Sequence, residues 1–77
     1  MTSILSKEER TQVVNSHKRN LAMNQYNISI SLIEENAKTV KDTAIIQNLT
    51  DSSAAIDLQI SALDSELASI AKEADPA

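Results

Sequence analysis

The apolar positions in the last third of the chain recur with one rhythm. Ile56, Ile60, Leu63, Leu67, Ile70 and Ala74 are spaced 4, 3, 4, 3, 4, which is the a and d spacing of a heptad seam. Ser53, Leu49 and Ile46 continue the register backwards. The other faces carry Asp57, Gln59, Asp64, Ser65, Glu66 and Lys72. Asp75-Pro76 should stop this helix, because Pro has no N–H to donate and clashes with the preceding turn. The pattern predicts a helix over about 52–74.

Upstream, the pattern is two-sided. Ser6-Lys7-Glu8-Glu9 is a capping box, in which Ser6 accepts from the Glu9 amide and Glu9 reaches back to Ser6. A first helix therefore starts at Lys7. Val14, Leu21, Ile28 and Leu32 form one apolar stripe along it. Met23, Tyr26, Ile30, Ile33, Ala37, Val40 and Ala44 form a second, and at about 100° per residue the two lie on nearly opposite sides. Asn27-Ile28-Ser29-Ile30-Ser31-Leu32 alternates with the period of a strand, but no turn signal flanks it and no partner strand is evident, so helix is the favoured reading. No Gly or Pro interrupts residues 7–47. The turn and cap residues of Asn48-Leu49-Thr50-Asp51-Ser52-Ser53 place the break at about 48–51. An earlier break at Lys41-Asp42-Thr43, with a short extra helix after it, is the alternative.

The expected architecture is all-α. It is one domain over 1–77, a long antiparallel helical hairpin with a coiled-coil-like seam that self-associates into a bundle. A first helix of about 40 residues would be roughly 60 Å long and a second of about 24 roughly 36 Å. The shorter helix would then cover only the Met23–Ala44 stripe. The expected hairpin seam is Tyr26, Ile30, Ile33 and Val40 against Ile56, Ile60, Leu63, Leu67 and Ile70. That leaves Val14, His17, Leu21, Asn24, Ile28 and Leu32 as the expected oligomer interface, its polar members setting register at some cost in stability. Glutamate at Leu21 and Ile28 should then dissociate the assembly and leave the hairpin helical.

Composition narrows the class further. The chain has 77 residues, no Gly, no Cys, and Tyr26 as its one aromatic residue. Hairpin turns and phosphate-cradling loops use positive φ, which Gly adopts most easily, so a sheet fold or a P-loop is not expected. A chain this short buries only about 60% of its unfolded surface. Without Cys it has no disulfides to support it, which leaves helix packing and oligomerisation.

The net charge is −4, unevenly divided. Residues 1–41 carry six basic and four acidic side chains, a balance of +2; residues 42–77 carry Lys72 and seven acids, a balance of −6. Opposite signs favour the two halves lying side by side, within one chain or between chains. They do not make the broad basic surface of a nucleic-acid binder. No apolar run has the length of a signal peptide or a membrane span, so a cytoplasmic protein without membrane contact is expected. Asn27-Ile28-Ser29 and Asn48-Leu49-Thr50 match the glycosylation pattern, and both read as chance.

Candidate chemistry is sparse. His17 is the single histidine, and its helical neighbours Val13, Val14, Asn20 and Leu21 offer no orienting carboxylate. It reads as an interface or surface residue; a functional role would be a pH switch at a seam. Glu34-Glu35 and Asp64-x-Glu66 read as solvated faces, because adjacent helical residues diverge. His17-Lys18-Arg19 with Arg10 is a short basic cluster, more naturally a bundle surface than an anion site. No catalytic residues, metal site, cofactor or small-molecule substrate are expected.

One stretch resembles a known group. Asn20-Leu21-Ala22-Met23-Asn24-Gln25-Tyr26-Asn27, with Ser31-Leu32-Ile33-Glu34-Glu35-Asn36-Ala37, is similar to small helical proteins of tailed marine bacteriophages, of the cyanophage kind. The resemblance spans about half of the chain and implies a viral accessory protein, working in the virion or the infected cell. It carries no site residues.

The expected function is therefore a non-enzymatic structural or adaptor role through helix–helix contacts. The partners would be copies of the chain itself, dimer to tetramer, or one larger protein. The alternative is a small regulatory partner-binding protein, antitoxin- or inhibitor-like.

Overall fold

Ser6 opens the first helix as its capping box requires. The Glu9 amide donates to Ser6 Oγ at 3.0 Å and the Ser6 amide donates to Glu9 Oε1 at 3.1 Å. The computed structural model describes residues 4–73. They form two helices of 30 residues each, α1 (Lys7–Asn36) and α2 (Thr43–Lys72). Residues 27–32 are helical despite their alternation, and no strand occurs among the described residues. The helices pack antiparallel against each other as a hairpin.

The helix boundaries differ from the expected ones. The break lies at residues 37–42, not 48–51, and α1 ends at Asn36 instead of near 47. Asp42 caps α2, its Oδ1 accepting from the Ala44 and Ile45 amides at 3.0 and 3.2 Å. Residues 48–51 lie within α2. Their polar side chains are accommodated there: Thr50 Oγ1 donates to the Ile46 carbonyl at 2.8 Å, and Gln47 Nε2 to Asp51 Oδ1 at 2.8 Å. The early break makes the helices equal in length, about 45 Å each at 1.5 Å per residue. Equal arms let the whole Ile46–Ile70 register find apolar cover, which a break at 48–51 would forfeit. The connection turns without any positive φ. At the far end α2 stops at Lys72 with Glu73 as its cap. Ala74 and Asp75-Pro76 lie outside the described residues.

The two stripes of α1 consequently exchange roles. The positions turned towards α2 are Thr11, Val14, Lys18, Leu21, Gln25, Ile28, Leu32 and Glu35, alternating by three and four. On α2 they are Ile46, Leu49, Ser53, Ile56, Ile60, Leu63, Leu67 and Ile70. Val14, Leu21, Ile28 and Leu32, expected at an oligomer interface, are thus part of the hairpin seam. Tyr26, Ile30, Ile33 and Val40, expected in that seam, are exposed. Ile56, Ile60, Leu63, Leu67 and Ile70 face α1.

Polar rungs set the antiparallel register. Gln25 Nε2 donates to the Ser53 carbonyl at 3.1 Å and to Asp57 Oδ1 at 2.6 Å. Lys18 pairs with Asp64. Arg10 grips Glu73 through both terminal nitrogens, at 2.7 and 2.5 Å. Lys7 Nζ donates to the Ala71 and Glu73 carbonyls at 3.4 and 3.0 Å. The opposite charges of the two halves are therefore joined within one chain.

Candidate functional site

The seam buries little. Among the described residues the only buried apolar side chain is Ile70 and the only buried charged one is Glu35. Every other inward position is partly exposed, as two helices without a third layer must leave it.

Glu35 is the feature that the carboxylate pair Glu34-Glu35 concealed. It is not on a solvated face. It stands one heptad after Ile28, in the series Val14, Leu21, Ile28, Glu35, and therefore points inward. Its Oε1 accepts from the Asp42 amide at 3.2 Å and its Oε2 from Lys38 Nζ at 2.6 Å. One carboxylate thus ties the end of α1 to the residue that caps α2. It also holds the Lys38 ammonium above the ordinary lysine value, chiefly through that hydrogen bond. Replacing Glu35 by Ala is expected to cost about 1–3 kcal/mol, because the Asp42 amide loses its acceptor. Glu35→Gln, which keeps one acceptor oxygen, should cost less. Urea denaturation followed by circular dichroism measures both.

Two exposed carboxyls titrate low. The backbone and side chain of Ser6 lower Glu9, and the Arg10 hydrogen bonds lower Glu73. A folded-state pKa below the unfolded one stabilises the fold above the unfolded value, and that stabilisation is lost as pH falls through the folded value. The thermal midpoint should therefore change little from neutral to about pH 5 and decline as the pH drops below the ordinary glutamate value of 4.5. Glu73→Gln should make that decline shallower. A decline equally steep in this variant would remove Arg10–Glu73 from the explanation.

His17 and Asn24, the polar members of the expected interface, are exposed at one edge of the seam. They border a shallow depression of about 420 Å³ with Asn20, Leu21, Gln59, Ala62 and Leu63. No carboxylate lines it. Among the described residues no group of three His, Asp or Glu could hold a metal ion, and no helix is long and apolar enough to cross a membrane. The basic cluster is divided: Arg10 and Lys18 are engaged with acids of α2, and Arg19 makes no ion pair among the described residues.

Comparison with protein-family models, curated proteins and solved structures gives no match to this chain.

The remaining feature is the outer face of α1. Met23, Tyr26, Ile30 and Ile33 are exposed on it, spaced three and four apart on the side away from α2. Arg19, Ala22, Met23, Tyr26 and Asn27 line a shallow, mainly apolar recess there, about 330 Å³ in volume. On α2 the exposed large apolar residues, Ile45 and Leu58, are far apart in sequence and form no stripe. Apolar surface gathered in one patch marks an interaction site more often than the same residues scattered singly.

Proposed function

We propose that this chain is a non-enzymatic structural or adaptor protein that works through helix–helix contacts and self-association. One observation carries the reading: α1 bears large apolar side chains on two opposite faces, and α2 covers one of them. An amphipathic helix gains most of its stability by burying its apolar side, so a helix apolar on both sides suits a position between two partners. The heptad-spaced seam agrees with a coiled-coil-like building block. With Arg10 and Lys18 spent within the hairpin, little basic surface is left for nucleic acid. The resemblance of residues 20–27 and 31–37 to small marine-phage proteins would extend the reading to a viral accessory role, in the cytoplasm of an infected cell or in a virion.

Sedimentation equilibrium, with circular dichroism on the same sample, tests the reading. The expected result is a strongly helical dimer, trimer or tetramer at micromolar concentration. A helical monomer would overturn self-association and turn attention to the regulator alternative, in which the same face receives a different protein.

A further inference from the structure

We propose that the outer face of α1 is a twofold interface, on which α1 of a second copy of this chain lies antiparallel, centred near residue 28. The proposal rests on the self-association reading and specifies its face, orientation and register.

The outer face of α1 is free to take a partner: Met23, Tyr26, Ile30 and Ile33 are exposed on the side away from α2.

The stripe is also self-complementary. Met23, Tyr26, Ile30 and Ile33 are 57, 67, 38 and 64% exposed. Their spacings, three, four and three, read the same in both directions. Turned over about a dyad at residue 28, Met23 of one copy faces Ile33 of the other, and Tyr26 faces Ile30. Each apolar residue therefore meets an apolar one, as an isologous contact requires. The recess bounded by Ala22, Met23 and Tyr26 lies opposite the Ile30–Ile33 ridge of the second copy. Ala22 supplies the gap and the isoleucines the filling.

Charge selects the antiparallel sense. Arg19 borders the stripe at one end and Glu34 at the other, and both are exposed. In the antiparallel arrangement Arg19 comes within about one helical turn of Glu34 on the second copy, three residues or roughly 4.5 Å off direct opposition, and this happens twice by symmetry. A parallel pairing would set Arg19 against Arg19 and Glu34 against Glu34. The result of the antiparallel pairing is four helices in which α1 is the inner layer and α2 the outer. That gives both apolar sides of α1 a partner.

Two measurements decide it. Sedimentation equilibrium compares the wild-type chain with the double variant Ile30→Glu and Ile33→Glu. The expected result is a wild-type oligomer and a variant that sediments as the single hairpin with its helical signal kept. An unchanged oligomer in the variant would overturn this face while leaving self-association standing. A monomeric wild type would overturn both. The second measurement uses the absence of native Cys and does not depend on how the glutamates affect folding. Met23→Cys and Ile33→Cys chains are prepared separately and oxidised alone and mixed. Antiparallel pairing predicts a disulfide-linked species only in the mixture, because the two copies of residue 23 lie ten residues apart, about 15 Å, too far for a disulfide. Homodimeric disulfides from either chain alone, or none in the mixture, would overturn the register.

Discussion

Glutamate at both Leu21 and Ile28 is expected to abolish most of the helical circular dichroism signal. Both side chains face α2 in the middle of the seam. Each substitution removes a partly buried aliphatic side chain, at about 1–2 kcal/mol for incomplete burial, and points a carboxylate at an apolar partner. The electrostatics add to the loss, because Asp57 stands across the seam beside Gln25, between the two positions, in a half that already carries excess negative charge. A chain of this size has only about 4–12 kcal/mol of total stability. Helices separated from their partner are marginal in water, so the arms would not remain helical alone. Glutamate at Ile30 and Ile33 makes the contrast, since those positions face away from α2 and the hairpin should survive. Equal loss of helicity in both double variants would mean that the seam is not where the burial pattern puts it.

Ile70→Ala should produce the second large effect, about 2–4 kcal/mol. Ile70 is the one buried apolar side chain among the described residues. It stands at the open end of the hairpin, where it lines a shallow depression with Leu5, Arg10, Val13, Val14 and Glu66. Arg10 reaches across this end to Glu73, and its Nε is shielded there without a hydrogen-bond partner. A cavity at Ile70 would loosen the floor beneath that ion pair, so the two ends of the chain should separate before the Glu35 loop does. Hydrogen exchange in the variant should show the first turns of α1 and the last turns of α2 opening together, with the amides near residues 28–36 still protected. A loss below about 0.5 kcal/mol, the range of surface substitutions, would show that this end contributes little to the fold.

Several features were legible from local chemistry alone. The Ser6–Glu9 capping box places the start of α1 within a few atoms, because a cap is a contact between neighbours in sequence. The heptad of α2 names its inward face, since Ile56 to Ile70 must share one side of any helix. The absence of Gly and the scarcity of aromatics point to an all-α chain, and the helical hairpin agrees. Opposite charge in the two halves predicts their juxtaposition, which Lys18–Asp64 and Arg10–Glu73 supply.

What local chemistry could not decide was where the chain turns and which side of α1 faces inward. Asn48 to Ser53 favour a turn by their own preferences, yet they are helical, because Leu49 and Ser53 lie in a register that α1 covers. Tertiary burial outweighs a local preference worth only tenths of a kcal/mol per residue. The turn goes instead to residues 37–42, where Asp42 caps the second helix and the inward Glu35 receives its amide. Once the turn moves, the arms become equal and the partner of α2 changes from the Met23–Ala44 stripe to the Val14–Leu32 stripe. Both stripes of α1 are visible from spacing alone. Choosing between them depends on arm length, a property of the whole hairpin, and only the tertiary structure could settle it.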